Sequence, residues 1–388
     1  MALSERYRPS GVNNRFSFEG TSFDAYIAQS HGIIAQARSD LTEQNRISII
    51  EGNGPFSLAP SVSETASVPR RGILLAHGLT DSPYVMRALG RFFQASGFWV
   101  KGILLPGHGT RPGDLLEVTW QEWARAIQFG VDALAQETEE VYLGGFSTGG
   151  TLSIYQALRD KRVKGLYLFS PAVGVSPLGF LANWHKLYSW AFRPGAWMNL
   201  QHDEDCFKYE SFSFNAGNQV YLLTREVARL LTDRTLEIPV FIAASEDDAT
   251  VRIGATLRFF ERIAHPSKWM LLHGVGTAPL PPSVERTNSP DPHILSSAHT
   301  AIVIPPDDPH YGAQGCYASC GHYRGCPEKY RRCKNRQEDF LGEISHKNLR
   351  KGVIRRLTYN PCYDTLVTRL MAYTQSILRG NNVGGSAD

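Results

Sequence analysis

Between residues 71 and 272, short apolar runs alternate with segments of helical period, and that rhythm constrains the fold more than any other feature of the sequence. Residues 73–76, 98–105, 140–144, 165–169, 239–244 and 269–272 read as buried strands, the last of them closing the series. Helices are predicted between them. Ser82 and Pro83 open one that ends near Gly97, with serine as N-cap and proline at the first helical position. Thr119 opens another, on which Trp120, Trp123, Ile127, Val131 and Leu134 keep a helical spacing. Further helices are expected from Ser147 to about Arg159 and from Val251 to about Ala264. Parallel neighbours need a crossover connection, and a crossover helix lands on a face of the sheet. The expectation is therefore an α/β fold with a mostly parallel sheet covered on both faces.

Two stretches interrupt the rhythm. Residues 171–234 are aromatic, with Phe180, Trp184, Tyr188, Trp190, Phe192 and Trp197, and the second stretch runs from Gly274 to about Thr358. The first 70 residues read as an N-terminal extension, with an amphipathic helix within 23–41 and a Gly-, Pro- and Ser-rich linker over 52–70. The end of the chain turns helical again: Asn360 and Pro361 cap a segment whose stripe is Leu366, Val367, Leu370, Met371, Ile377 and Leu378. The expected organisation is thus an extension over 1–70 and a main domain over 71–388. That domain carries one insertion at about 171–234 and a cysteine-containing one at about 310–358.

Composition narrows the function classes. A net charge of +3 over 388 residues implies no nucleic-acid partner, and the basic runs at 331–334 and 350–356 read as solvated faces. No run of about 20 apolar residues is present to span a membrane, and the N-terminus lacks the apolar stretch of a signal peptide. A cytoplasmic protein is expected. Nothing in the sequence sets an oligomeric state.

The motif that carries chemistry is Gly145-Phe-Ser-Thr-Gly149, a G-x-S-x-G between a predicted strand and a predicted helix. Small residues two positions either side of Ser147 let the chain turn sharply without collision. The turn lifts the hydroxyl clear of the sheet at a helix N-terminus, where amides and the helix dipole favour developing negative charge.

Residues 71–304 resemble the lipase and esterase branch of the α/β hydrolases, which includes bacterial carboxylesterases and monoacylglycerol lipases. The segments that carry the resemblance are Leu74-Leu-Ala-His-Gly-Leu-Thr-Asp-Ser-Pro83, Leu105-Pro-Gly-His-Gly-Thr110, Gly144-Gly-Phe-Ser-Thr-Gly-Gly150 and Ser245-Glu-Asp-Asp-Ala-Thr-Val251. It implies an α/β-hydrolase fold with a helical cap inserted at about 171–234, and a Ser–Asp–His triad with Ser147 as nucleophile. The oxyanion donors implied are the amides of Leu79, after His77-Gly78, and of Thr148. His77 and His108 are read as structural loop residues. The acid is expected after the strand that follows the cap, where Glu246, Asp247 and Asp248 stand together. In the family pattern the acid precedes two residues and then an apolar one, which Asp248-Ala-Thr-Val251 fits best. For the base, His299 is favoured, in Leu295-Ser-Ser-Ala-His-Thr-Ala301, a run that resembles the family's base loop, with His273 and His293 as alternatives. The activity implied is cleavage of carboxylic esters through an acyl-enzyme, on a small-molecule ester or lipid, with no metal or organic cofactor. A thioesterase or other acyl hydrolase of the same fold is the alternative, and a non-catalytic binding module a further one.

Cys316, Cys320, Cys326 and Cys333 form a cluster within the second insertion. The spacing departs from the usual paired ribbons of zinc sites. Free thiols, local disulfides and a structural metal all remain open on sequence alone.

Overall fold

The computed structural model describes residues 4–13, 18–61, 69–174 and 193–382. The chain forms two compact units, Met1–Leu166 with Pro171–Arg234, and Tyr167–Ser170 with Thr235–Asp388.

In the first unit, β1 (Phe56–Leu58) runs antiparallel to β3 (Phe98–Ile103), and β2 (Arg71–Ala76) lies between β3 and β4 (Glu140–Phe146), parallel to both. All six residues of β2 are buried, as a strand covered on both faces requires, so no polar alternation marks it. Its one charged residue, Arg71, is neutralised by its register partner on β4: Nε donates to Glu140 Oε2 at 2.9 Å. The strand β5 (Val163–Phe169) begins in this unit and ends in the other.

The helices α1 (Phe23–Ala37), α2 (Arg46–Asn53), α3 (Arg87–Ala95), α4 (Trp120–Glu137), α5 (Thr148–Ala157) and α6 (Phe214–Asp233) belong to the first unit. On α4, the Thr119 hydroxyl accepts from the Glu122 amide while the Glu122 carboxylate accepts from the Thr119 amide, a reciprocal capping box. The buried face of α4 carries Trp123, Ile127, Val131 and Leu134, as their spacing predicts, while Trp120 at its first position is only half-buried. On α1, Tyr26 is bonded to the end of β3, donating to the Leu104 carbonyl at 2.7 Å and accepting from the Leu104 amide at 2.9 Å. Within the cap, β6 (Trp197–Asn199) pairs antiparallel with β7 (Phe212–Ser213), and Trp197 is buried edge-on against Tyr7. Phe180, Trp184, Tyr188, Trp190 and Phe192 lie outside the described residues.

In the second unit, β8 (Val240–Ser245), β9 (Lys268–His273) and β10 (Val284–Thr287) are parallel neighbours in that order. The helix α7 (Ile253–Glu261) follows β8. In the insertion, α8 (Pro327–Lys334) precedes β11 (Phe340–Gly342), and α9 (His346–Leu349) connects it to β12 (Ile354–Arg356), its parallel partner. The helix α10 (Tyr363–Asn382) closes the described chain and buries Leu366, Leu370 and Ile377. With the strands mostly parallel and flanked by helices, this is the α/β-hydrolase fold.

Four sequence expectations are corrected. The segment 52–70 is more than a linker, because it contributes β1 as an antiparallel edge; three residues are too few to show a period. The helix expected from Ser82 begins as a 3-10 turn, Pro83–Met86, before α3, and the Ser82 hydroxyl makes no capping bond. The strand at 269–272 is not the last, since β10 follows it. Every residue of β10 is only half-buried, and two of the four are charged, so no apolar run announces it. The C-terminal stripe is narrower than read, with Met371 on the exposed side.

The cysteine cluster resolves into one disulfide, Cys320–Cys333, and two exposed thiols, Cys316 and Cys326. A metal held by all four is excluded, since two of the sulfurs are bonded to each other. The disulfide packs among Ala318, Tyr323 and Val353 in a small core of the insertion's own.

Candidate active site

The nucleophile's surroundings belong to the first unit. Ser147 stands between β4 and α5 with φ 53° and ψ −115°, a left-handed backbone conformation that non-glycine residues rarely adopt. The glycines on either side explain how the turn is tolerated. A Cβ on Gly145 would fall 2.3 Å from the Gly149 carbonyl oxygen, and one on Gly149 would fall 2.2 Å from that of Ala76. Two amides hold the elbow by its own carbonyl: Thr151 N–H at 3.2 Å and Ala172 N–H at 3.1 Å both donate to Ser147 O. The strained serine is thus fixed from the helix behind it and from the chain after β5.

Thr148 is the first residue of α5, so its amide is one of the four that a helix leaves without an internal acceptor. Leu79 follows β2 in a turn where Thr80 also has positive φ, 67°. Among the described residues no backbone acceptor takes the amide of Leu79 or of Thr148.

His77 and His108 are structural, as read. His77 is fully buried; its Nδ1 lies 2.8 Å from the Gly78 carbonyl and its Nε2 accepts from the Leu105 amide at 3.1 Å. Both nitrogens are therefore engaged: Nδ1 within the loop after β2, and Nε2 tying that loop to the one after β3. Burial, reinforced by His108, holds the His77 imidazole well below its ordinary range, and burial pushes His108 down to about 4. Asp81 in the same loop is buried and neutralised by Lys208 Nζ at 2.6 Å.

The acid and base candidates belong to the second unit. Asp248 lies beyond the end of β8. Its Oδ1 accepts from the amides of Thr250 at 2.7 Å and Val251 at 2.8 Å, which leaves Oδ2 facing His299 Nδ1 at 2.5 Å. Both side chains are buried, 3% and 7% exposed, so the pair is shielded from competing water. An ionised Asp248 carboxylate only accepts, so in this contact Nδ1 is the donor.

The neighbouring carboxylates do other things. Glu246 Oε1 accepts from both Nε and Nη2 of Arg286 at 2.9 and 2.7 Å, and its Oε2 accepts from the Gly276 amide, pinning the loop between β9 and β10. Asp247 meets no histidine; its Oδ2 is buried without a bonding partner, and burial raises its carboxyl above the ordinary range. Among the alternative bases, His273 ends β9 buried, with Nε2 unbonded, and burial lowers its imidazole to about 4. His293 is exposed, with Nδ1 3.3 Å from the Asp339 carbonyl. Of these histidines, His299 is the one in contact with a carboxylate of the expected acid loop.

Sequence reasoning missed the residues that hold the His299 loop. Glu343, 44 positions later in the insertion, accepts from the His299 amide at 3.1 Å. Ser296 Oγ accepts from the Glu343 amide at 2.9 Å and from Asn348 Nδ2 at 2.9 Å. No motif marks Glu343 or Asn348, and the base-loop run that contains Ser296 gives it no sign of this role.

Residues 67–273 match the protein-family model described as serine aminopeptidase, S33. The chain is 33% identical over 104 residues to the thermostable monoacylglycerol lipase of Bacillus sp. (strain H-257), covering 27% of this chain and 42% of that protein. It is 29% identical over 85 residues to a carboxylesterase of Bacillus subtilis (strain 168), covering 22% and 35%. The chain therefore spans less than half the length of these curated relatives. Among solved structures, the monoacylglycerol lipase of Paleococcus ferrophilus is similar over 67% of this chain and 93% of that chain, at 19% identity and a TM-score of 0.47.

Proposed function

The chain belongs to this serine aminopeptidase S33 family of the α/β hydrolases, and from that premise we propose that it is a serine hydrolase acting on carboxylic esters. The observation that carries the reading is the strained Ser147 at the N-terminus of α5, a conformation that costs stability and serves to present a hydroxyl. The buried Asp248–His299 pair supplies the chemistry that such a serine needs.

In this reading His299 Nε2 takes the proton of the Ser147 hydroxyl as Oγ bonds to the ester carbonyl carbon. The carbonyl oxygen becomes an oxyanion received by the amides of Leu79 and Thr148. The carbon–oxygen bond to the alcohol breaks, and the alcohol leaves with the proton from His299. Water then attacks the acyl-enzyme, giving a proton to His299. Collapse releases the acid, and Ser147 Oγ recovers the proton. Asp248 holds the imidazole tautomer throughout and stabilises the imidazolium.

Esters are favoured over amides because the curated relatives matched are a lipase and a carboxylesterase. Exposed Met198 and Leu200 on the cap suit a small ester or lipid as substrate. The test is hydrolysis of p-nitrophenyl esters from acetate to palmitate, with an aminoacyl p-nitroanilide alongside, by wild type and Ser147→Ala. Ester turnover that drops by about 10⁴-fold or more in the variant supports the proposal. A folded wild type that cleaves only the anilide, or nothing, overturns it.

A further inference from the structure

We infer that the insertion at about 310–358 is the scaffold of the base loop, and that Glu343 is the positioning residue through which it acts on His299. The inference rests on His299 being the base. His299 opens a single 3-10 turn, His299–Ala301, so its amide has no acceptor within that turn. The preceding residue, Ala298, has no side chain able to cap it. Glu343 does the capping from 44 residues away, Oε2 accepting at 3.1 Å.

The rest of the loop is joined to the same strand. The amide of Leu341 donates to the His293 carbonyl and that of Leu295 to the Leu341 carbonyl, both at 2.8 Å, so residues 293–295 run alongside β11 as an added parallel segment. Ser296 Oγ then receives Glu343 N–H and Asn348 Nδ2. The Glu343 carboxylate, only 2% exposed, is itself fixed: Oε1 accepts from the Ile344 amide at 2.8 Å and lies 3.3 Å from the Arg356 guanidinium on β12. A buried carboxylate held by two amides and an arginine is a rigid point of attachment. A base that is misplaced by about 1 Å can lose about 10²-fold in rate, which is why a backbone bond at the base's own residue bears on catalysis.

The experiment compares wild type, Glu343→Ala, Glu343→Gln and Ser296→Ala by ester kinetics and by imidazole ¹H–¹⁵N spectra. Glu343→Ala is expected to lower kcat about 10- to 100-fold with KM within about twofold. Glu343→Gln, whose amide oxygen can still accept from His299 N–H, is expected within about threefold of wild type. Ser296→Ala, which frees Glu343's own amide but keeps its carboxylate, gives a milder loss confined to kcat and serves if Glu343→Ala does not fold. In the spectra, His299 holds a single Nδ1–H tautomer in wild type and loses it in Glu343→Ala, a readout that needs no turnover. Glu343→Ala and Ser296→Ala with wild-type kcat and an unchanged His299 signal would overturn the inference. A wild type inactive on esters but with the spectral change intact would instead overturn the proposed function alone.

Discussion

Asp248 Oδ2 and His299 Nδ1 lie 2.5 Å apart, and the other oxygen of Asp248 is already occupied by the amides of Thr250 and Val251. The carboxylate can neither rotate away nor turn a different oxygen to the ring. In the proposed mechanism that geometry gives Asp248 its part: it sets which imidazole nitrogen carries the proton.

Asp248→Asn tests this directly. An asparagine NH₂ facing the ring would favour the tautomer protonated on Nε2, which cannot accept the serine proton. The expected result is a kcat lower by about 10⁴-fold with the fold intact. Steady-state ester kinetics beside circular dichroism decide it, and a variant within tenfold of wild type would remove Asp248 from the triad.

The elbow predicts its own intolerance. Gly149→Ala places a methyl 2.2 Å from the Ala76 carbonyl oxygen, against backbone of β2 that cannot yield cheaply. A loss of about 1–3 kcal/mol or more in stability is expected. Urea denaturation of the two proteins measures it; equal midpoints would mean that the turn is looser than described.

His273 gives a pH dependence with a definite sign. Burial pushes its imidazole down to about 4 from an ordinary 6.5, so the folded state keeps it neutral where the unfolded chain already binds a proton. Its contribution is fully present above about pH 6.5 and is lost as pH falls towards about 4. His273→Leu should therefore show a shallower fall in melting temperature from pH 7 to pH 5 than wild type, and should keep its ester hydrolysis at pH 8. Parallel melting curves contradict the burial argument, while lost activity would reopen the choice of base.

The disulfide makes a local prediction. Cys320 and Cys333 are 13 residues apart, and closing a loop of that size is worth about 3 kcal/mol in chain-entropy terms. The bond packs against Val353, the residue before β12. Reduction should accelerate hydrogen exchange over residues 353–356 more than in β2 or β4. Exchange that is unchanged by reductant would show that the insertion's core holds without the bond.

The strand and helix rhythm, the elbow and the loop histidines were legible in the sequence because each depends on neighbours in the chain. Buried parallel strands demand apolar runs, α4 repeats its apolar residues at helical spacing, and Gly145 and Gly149 are required by contacts within a few residues or with the adjacent strand. Asp248 and His299 were singled out through the loops that carry them, Ser245-Glu-Asp-Asp-Ala-Thr-Val251 and Leu295-Ser-Ser-Ala-His-Thr-Ala301, and their side chains meet. What the sequence left open was decided by long-range contacts. Three adjacent acidic residues differ only in what each meets: Glu246 finds Arg286, Asp248 finds His299, and Asp247 finds no partner for its Oδ2. The edge strand β10 carries no apolar signature, because half-buried positions tolerate Glu285 and Arg286. Which cysteines join, and that Glu343 caps a turn 44 residues away, follow from tertiary packing alone, since nothing local to either position requires them.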